Sequence, residues 1–372
     1  VGDEAWPPYQ RPPLSKRFLA GALPAERLYF KPVDFYDAPD IDVRLETRIT
    51  AVDRERVCLV TATGEKIGYD TLVLATGSRV RRIRVPGSEL DGVHYLRCID
   101  DVSRIRADLA TARDVVIVGA GYIGLEVAAV MRELAYEVSV VEMADRVMSR
   151  VVSPVVSDFF SAEHESRGVN LMLSTTLEAI EGDTRVNAVT TGGHHSIPAD
   201  LVIAGVGIVP NTELAAAAGL EVDNGIVVDA YCRTADDNIY AVGDCTSHPS
   251  SIYGRRIRLE SVHNALEQAK TAAANICGEA VAYSQVPWFW SDQYDLKLQI
   301  AGLSEGYDEV VVRGEPASRS FSCLYLRDGI LIACDAINAP RDFVQSKALI
   351  QRRLKIAPER LADNSVPLKD AG

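Results

Sequence analysis

The sequence predicts an α/β protein with a smaller antiparallel domain at its C-terminal end. Residues 114–142 (DVVIVGAGYIGLEVAAVMRELAYEVSVVE) have the pattern of a buried strand, a glycine turn, a helix and a second strand. Apolar runs that end in glycine recur at residues 71–77, 201–207 and 238–244, which is typical of buried strands whose ends approach a ligand. From about residue 287, short strand-like runs separated by turn residues take over, including a predicted hairpin turn at residues 327–330.

Three glycines in the 114–142 segment have the spacing G-x-G-x-x-G, namely Gly119, Gly121 and Gly124. Gly119 permits the tight turn, Gly121 lets a pyrophosphate approach the backbone, and Gly124 lets the helix pack closely on the strand. The helix N-terminus presents unpaired N–H groups and positive dipole to the phosphates. Because both strands and the helix are present around it, the motif predicts dinucleotide binding rather than a purely structural turn.

Glu142 ends the second strand, 18 residues after Gly124. A carboxylate there accepts hydrogen bonds from the adenosine ribose and repels a 2′-phosphate, so NAD is favoured over NADP. Arg146 and Arg150 lie just beyond and could weaken that preference. The alternative is that Glu142 is an ordinary solvated strand end.

Bulk composition narrows the class of protein. With 372 residues, 47% apolar and 24% charged, the chain is expected to be a soluble globular protein of two or three domains. The net charge of −13 and the lack of a basic stripe argue against nucleic acid as a partner. The sequence contains no run of 18 or more apolar residues, so it predicts no membrane-spanning helix.

The cysteines are scattered and include no C-x-x-C pair: Cys58, Cys98, Cys232, Cys245, Cys277, Cys323 and Cys334. This pattern predicts no metal site, no disulfide framework and no redox dithiol. Reduced thiols in a cytoplasmic protein are expected.

Other segments give coarser expectations. Residues 1–30 are rich in proline and predict an extended loop, and residues 41–44, 57–61 and 71–75 predict short strands. Residues 154–167 predict a helix before a strand at 169–173, and a last helix is expected near 343–354. A further predicted helix at 261–276 places these residues on one apolar face: Val262, Ala265, Ala269, Ala272, Ala273 and Ile276.

Seven motifs occur in one order along the chain: PPYQRPPLSK, TLVLATGS, VVIVGAGYIGLE, GVGIVPN, YAVGDC, NALEQAK and PWFWSDQ. With them the chain resembles the NADH-dependent ferredoxin reductases of bacterial oxygenase systems, of the putidaredoxin and rhodocoxin reductase type. The resemblance implies two dinucleotide-binding domains of the glutathione-reductase-like fold and a C-terminal α+β domain with an antiparallel sheet. It implies an FAD-binding domain at residues 1–107 and 231–284, an NAD-binding domain at 108–230 and an interface domain at 285–372.

One departure concerns the start of the sequence. The family opens with a strand, its own G-x-G-x-x-G and a helix, which hold the ADP half of FAD, whereas this sequence starts just after that unit. Either those residues precede Val1 in the whole protein, or this form has lost its main FAD pyrophosphate site. We expect the first, because the downstream flavin motifs are intact.

The resemblance also implies roles for individual residues near the flavin. Asp244 ends a buried strand, where an unpaired carboxylate would be costly, and in the family it binds the ribityl chain; a helix N-cap is the alternative. Lys16 would lie near the reactive flavin N5, paired with Glu126 of the GLE motif; a surface ion pair is the alternative. Tyr122 would cover the flavin until nicotinamide displaces it, or is simply a packed aromatic.

The remaining cofactor positions also follow from the resemblance. The residues predicted to contact FAD or to lie along the bound dinucleotides are Arg11, Ala75, Thr76, Gly77, Val262, Trp290, Ile123, Val206 and Gly207. Of these, Arg11 contacts the flavin, Val262 lies at its pyrimidine edge, and Val206 with Gly207 lines the nicotinamide side.

The segment at residues 287–292 would lie over the flavin edge that faces an iron–sulfur partner. Trp290 is predicted to be its exposed member, whereas core packing alone could explain Trp288 or Phe289. An acidic 2Fe–2S ferredoxin needs basic groups to steer it. The candidate cations are Lys270, Lys347, Lys369, Arg255, Arg256 and Arg258, each of which could equally be an ordinary solvated charge.

The activity that the resemblance implies is electron transfer from NADH through FAD to a 2Fe–2S ferredoxin, which feeds an oxygenase. An NADH oxidase or peroxidase is the rival within the superfamily and would use one reactive cysteine, for which Cys58, Cys98 and Cys245 are candidates. A disulfide reductase would need a dithiol. A rival from another class is an NAD-binding interaction protein without a working flavin site.

Overall fold

The computed structural model describes all 372 residues. Its α-helices are α1 (Ile99–Leu109), α2 (Tyr122–Glu133), α3 (Pro154–Ser166), α4 (Glu213–Ala217), α5 (Val262–Ile276), α6 (Pro340–Arg352) and α7 (Pro358–Ala362). None of them has both the length and the apolar character required to cross a bilayer.

The strands of the first half are β1 (Ile49–Asp53), β2 (Cys58–Thr61), β3 (Lys66–Gly68), β4 (Leu72–Leu74), β5 (Ser78–Val80), β6 (Val93–Tyr95), β7 (Asp114–Val118), β8 (Glu137–Val141), β9 (Val169–Met172), β10 (Leu177–Gly182) and β11 (Val186–Thr191). Those of the second half are β12 (His195–Pro198), β13 (Leu201–Ala204), β14 (Ile208–Pro210), β15 (Ile226–Val227), β16 (Ile239–Ala241), β17 (Thr246–Ser250), β18 (Arg255–Ile257), β19 (Trp288–Gln293), β20 (Leu296–Gly302), β21 (Glu309–Glu315), β22 (Ser320–Arg327) and β23 (Ile330–Ile337).

The chain forms two compact units. The first unit consists of Val1–Gln10, Glu26–Arg79 and Ile208–Pro287, and the second of Arg11–Ala25, Val80–Gly207 and Trp288–Gly372. The finer division into domains at residues 107, 230 and 284 stays a prediction.

The first unit contains several small sheets. Strands β1, β2 and β3 form an antiparallel sheet, and β4 pairs in parallel with β16. Strands β15, β17 and β18 form a mixed sheet, in which β15 and β17 are parallel and β17 and β18 are antiparallel. Leu72 and Leu74 of β4 are buried while Val73 between them is exposed, as the pleat of a strand requires. They share a core with Ile239 and Ala241 of β16.

The second unit contains a five-stranded sheet in the order β6-β13-β7-β8-β9, and all its pairings are parallel. Helix α2 makes the crossover between β7 and β8. Four consecutive residues of β7, from 115 to 118, are buried, because a parallel strand covered on both faces has no solvent side. This arrangement places the glycine turn at the carboxyl end of β7, where α/β sheets bind ligands.

The C-terminal part of the second unit is a five-stranded antiparallel sheet in the order β19-β20-β23-β22-β21. The predicted hairpin joins β22 to β23, and its central residues Asp328 and Gly329 have φ of 53° and 76°. Positive φ at both positions is what a two-residue hairpin turn of type I′ requires. The predicted α/β class and the C-terminal antiparallel sheet are therefore confirmed.

Two expectations about local structure are wrong. Residues 41–44 form no strand. In α5 the buried face is mainly polar: Asn264, Gln268 and Thr271 are buried with Ala272, whereas Ile276 is 41% exposed. The polar side chains are inside because they hydrogen-bond the loop after β16, where Gln268 accepts from the Gly243 N–H at 2.7 Å.

Candidate active site

The glycine turn after β7 requires glycine at two of its three positions. Gly119 has φ of 102°, and a Cβ there would lie 2.6 Å from the Gly205 carbonyl oxygen. A Cβ at Gly124 would lie 2.0 Å from the carbonyl oxygen of Gly119, so the helix packs on the turn without room for a side chain. Around Gly121 no protein atom comes within 4 Å of the Cβ position. The turn therefore fits a pyrophosphate lying against the N-terminus of α2.

Glu142 follows β8 directly and is fixed beside this turn. Its Oε2 accepts a hydrogen bond from the Ala120 N–H at 2.7 Å, and its Oε1 accepts from the Ala144 N–H at 2.8 Å. Each carboxylate oxygen retains a lone pair, so the group can still accept from ribose hydroxyls.

Arg146 is committed to the protein itself. Its guanidinium donates to the carbonyl oxygens of Val152 at 2.8 Å and Ser149 at 2.6 Å, and to the Ser157 hydroxyl at 2.8 Å. These bonds occupy the group that could have bound a 2′-phosphate. Arg150 is exposed.

Lys16 and Glu126 form an ion pair in the second unit, with 2.7 Å between Nζ and Oε2. Glu126 is 1% exposed and Lys16 17%, so this is not a surface ion pair. The Ser15 hydroxyl donates to the same Oε2 at 2.5 Å, and the Ser291 hydroxyl donates to Oε1 at 2.7 Å. Burial of the carboxylate is thus matched by three donors.

Aromatic side chains of β19 lie beside the first turn of α2. The ring centroids of Tyr122 and Phe289 are 4.9 Å apart, and those of Trp288 and Trp290 are 5.5 Å apart. Trp290 was predicted to be the exposed member of this segment. Trp288, Phe289 and Trp290 are all half-buried, so Trp290 is no more exposed than its neighbours. The Lys347 ammonium lies 5.6 Å from the Trp288 ring centroid.

In the first unit, β4 and β16 run in parallel and end at the same edge of their sheet. Gly77 (φ 61°) and Gly243 (φ 82°) turn the chain after these strands, and Asp244 follows at once. The Ser78 hydroxyl donates to Asp244 Oδ2 at 2.9 Å. Thr76 is tied to Asn211, whose side-chain amide donates to the Thr76 carbonyl at 2.9 Å. A half-buried carboxylate at the carboxyl edge of parallel strands fits the polar chain of a flavin nucleotide.

The other predicted contacts are more scattered. Arg11 in the second unit donates to the Arg97 carbonyl at 2.8 Å. Ala75, Ile123 and Gly207 are exposed, and Val206 is half-buried. Val262 is the first residue of α5.

Sequence reasoning missed the two hydroxyls that hold Glu126. Ser15 stands next to Lys16 within PPLSK and Ser291 lies within WFWSDQ, so both were inside motifs already singled out. A buried carboxylate needs more donors than one lysine supplies, and this was the available signal.

Asp335 in β23 is a second buried carboxylate in the second unit, and sequence reasoning missed it. Burial raises its pKa from 3.8 to about 7, although the Tyr325 hydroxyl donates to it and opposes the shift. Its Oδ1 has no hydrogen-bond partner. Such a group is costly to ionise.

All seven cysteines are free. Burial raises the pKa of Cys232 and of Cys323 to about 12, and it also raises the pKa of Cys245. A reactive thiol needs a lowered pKa, so Cys245 lacks the property that an oxidase or peroxidase of this superfamily would use.

The model of the pyridine nucleotide-disulphide oxidoreductase family matches residues 1–269, and the reductase C-terminal model matches residues 288–372. The chain belongs to the pyridine nucleotide-disulphide oxidoreductase family. It is 44% identical to putidaredoxin reductase CamA of Pseudomonas putida, covering 100% of this chain and 89% of the relative. It is also 44% identical to rhodocoxin reductase of Rhodococcus erythropolis, covering 99% and 87%.

Solved structures agree with these relatives. The covalent putidaredoxin reductase–putidaredoxin complex has a TM-score of 0.96 at 44% identity, covering 100% of this chain and 90% of the other. A ferredoxin reductase from Rhodopseudomonas palustris has a TM-score of 0.95 at 42% identity, covering 100% and 93%. The predicted family resemblance is confirmed.

Proposed function

We propose that this chain is an NADH-dependent, FAD-containing ferredoxin reductase, which passes electrons to a 2Fe–2S ferredoxin that feeds an oxygenase. The observation that carries the proposal is the ion pair, 2.7 Å long, between Lys16 and the buried Glu126 on the helix that follows the glycine turn. Two relatives with 44% identity are named putidaredoxin reductase and rhodocoxin reductase.

The second unit supplies the NADH-binding residues. The turn from Gly119 to Gly124 receives the pyrophosphate, and Glu142 accepts hydrogen bonds from the adenosine ribose. The bonds of Arg146 to Val152, Ser149 and Ser157 favour NAD, because they hold this guanidinium within the protein.

The flavin supplies the redox chemistry, because when bound it accepts two electrons from NADH and releases them singly. Asp244, Thr76 and Gly77 would hold its nucleotide chain. Lys16 and Glu126 would orient the reacting ring and adjust its affinity for electrons. Tyr122 would cover the nicotinamide position until the substrate arrives.

The ferredoxin partner is acidic, and this chain is acidic overall as well. Docking therefore needs cations on this chain at the place where the ferredoxin binds. Lys270 pairs with Glu267 at 2.6 Å and Arg258 with Glu260 at 2.7 Å, which reduces their charge toward a partner. Lys347 lies against the aromatic segment at Trp288 and is therefore the preferred candidate.

We place the protein in the cytoplasm. Seven free cysteines suit a reducing compartment, which is also where NADH is supplied.

An anaerobic NADH titration of the flavin-loaded protein tests the proposal. NADH is expected to bleach the flavin band at about 450 nm, and added ferredoxin is expected to restore it. Oxygen and a disulfide are the control acceptors and should restore the band far more slowly. Lack of bleaching would overturn the proposal, and lack of flavin absorbance would favour an NAD-binding interaction protein.

A further inference from the structure

A chain of hydrogen bonds leads away from Glu126 through the interior of the second unit. Four contacts make it up: Ser291 Oγ to Glu126 Oε1 at 2.7 Å, Gln293 Nε2 to Ser291 Oγ at 3.1 Å, His164 Nε2 to Gln293 Oε1 at 2.9 Å, and Tyr294 Oη to His164 Nδ1 at 3.1 Å. These bonds join Glu126 on α2, Ser291 and Gln293 on β19 and His164 on α3, while Tyr294 lies in the turn after β19.

The four bonds have one consistent direction. Gln293 has its amide nitrogen toward Ser291 and its amide oxygen toward His164, so Nε2 of the imidazole donates and Nδ1 accepts. Tyr294 then donates to Nδ1, and the Ser291 hydroxyl donates to Glu126. In every bond the donor is thus the member farther from Glu126 and its proton points toward the carboxylate, and aligned bonds of this kind strengthen one another.

The interior members of the chain are buried. Gln293 and His164 are 0% exposed, and Ser291 and Glu126 are 1% exposed. Desolvation lowers the pKa of His164 to about 4. The hydrogen bond to Gln293 raises this pKa, but its effect is smaller. The imidazole is therefore neutral at physiological pH, which the one-donor, one-acceptor arrangement requires.

We propose that Ser291, Gln293 and His164 are positioning residues of Glu126. Ser291 binds Oε1 of the carboxylate, and Gln293 and His164 hold Ser291 in place, so that Oε2 meets Lys16 and Ser15 in a single geometry. The inference rests on the proposed function, in which the Lys16–Glu126 pair orients and tunes the flavin. Ser291, Gln293 and His164 take no part in the reaction itself, because each of them acts only through Glu126.

Ser291→Ala removes the bond nearest the carboxylate. Flavin reduction by NADH should slow about 10-fold, as expected for loss of a hydrogen bond to a charged group. The midpoint potential of the bound flavin should also shift. Ser322→Ala is the matched control, since the Ser322 hydroxyl donates to Asp342 at 3.0 Å elsewhere in the same sheet. An equal effect of Ser322→Ala would overturn the proposal.

The same substitution in a Glu126→Gln background separates positioning from general loss of structure. If Ser291 acts through the carboxylate, Ser291→Ala should leave rate and potential unchanged in that background. A full Ser291→Ala effect without Glu126 would overturn the inference. If Glu126→Gln alone changes neither rate nor potential, the proposed role of the ion pair fails instead.

A measurement that does not depend on the flavin checks the chain itself. Nitrogen NMR of labelled histidine should show His164 neutral and protonated on Nε2, with its signals assigned by their loss in His164→Asn. Tyr294→Phe, which deletes only a half-buried hydroxyl, should shift the Nδ1 signal. A charged His164 ring, a ring protonated on Nδ1, or no response to Tyr294→Phe would each contradict the proposed series of hydrogen bonds.

Discussion

Individual residues of this protein place charge where solvent does not reach. Glu126 keeps a carboxylate in the interior because Lys16, Ser15 and Ser291 all donate to it. Asp335 has only the Tyr325 hydroxyl as donor, and burial raises its pKa. The two buried acids thus differ in the number of donors that compensate for their burial.

The first prediction concerns the ion pair. Lys16→Met should lower the free energy of unfolding by about 3 kcal/mol, because it leaves a buried carboxylate without its counter-ion. Adding Glu126→Gln should restore most of that loss, while flavin reduction stays slow in both variants. Chemical denaturation and stopped-flow absorbance measure the two quantities. Undiminished flavin reduction in Lys16→Met would contradict the assignment.

The second prediction concerns pH. The folded-state pKa of Asp335 is raised from 3.8 to about 7, so the folded protein holds the proton more tightly than the unfolded chain does. Its contribution to stability is present below the unfolded pKa and is lost as pH rises toward the folded pKa. Between about pH 5 and about pH 8, the wild type should lose about 2–3 kcal/mol relative to Asp335→Asn.

Denaturation of both proteins at the two pH values measures this difference. Asp328→Asn, which alters a carboxylate in the exposed hairpin turn, serves as the control. Parallel pH profiles for the wild type and Asp335→Asn would show that the buried acid does not titrate in this range.

At the scale of elements, the strand–turn–helix unit from β7 to α2 combines a packing constraint with an open binding edge. Gly124 is enclosed by the turn, whereas Gly121 faces no protein atom within 4 Å. Two glycines three positions apart therefore have different physical roles.

The third prediction follows from that contrast. Gly121→Ala should fold with nearly the wild-type melting temperature, since its φ of −79° suits alanine. Its affinity for NADH should fall about 10-fold or more, because the methyl group takes the space of the pyrophosphate. Gly124→Ala should lower the melting temperature as well, since its Cβ would lie 2.0 Å from a carbonyl oxygen. Unaltered NADH binding by Gly121→Ala would exclude the turn as the site.

Elements defined by local chemistry could be predicted from sequence. The glycine turn and the hairpin at Asp328 and Gly329 depend on backbone conformations that few residues adopt. The environment of Glu126 could not be predicted, because Ser15 and Ser291 lie 111 and 165 positions away in the chain. Nor could the polar interior face of α5, since a hydropathy pattern does not show which polar side chains find partners.

At the scale of the whole molecule, an acidic protein without a redox dithiol must pass electrons outward from the flavin alone. The net charge of −13 repels an acidic partner at a distance, so docking depends on local cations. All seven cysteines are free thiols.

The fourth prediction is a stoichiometry. Anaerobic titration should reduce the flavin fully with about one NADH per FAD, because a two-electron donor meets a single two-electron acceptor. The endpoint is read from the flavin absorbance. An endpoint near two equivalents would reveal a redox-active cysteine pair and favour a disulfide reductase.

The fifth prediction concerns the partner. Lys347→Glu should raise the KM for an acidic ferredoxin about 10-fold at low salt and flatten its dependence on ionic strength. Lys270→Glu is the matched control, because Lys270 is already paired with Glu267. Equal effects of the two substitutions would place docking away from the aromatic segment.

The distribution of thiols has a consequence for how long the enzyme survives its own chemistry. A protein that releases single electrons in air exposes itself to superoxide and peroxide. Five cysteines are buried, and only Cys277 is exposed with Cys98 half-buried. Since oxidation of cysteine requires an accessible thiolate, damage should begin at the C-terminal end of α5 and leave the interior intact. The protein can therefore lose a surface thiol without losing its fold.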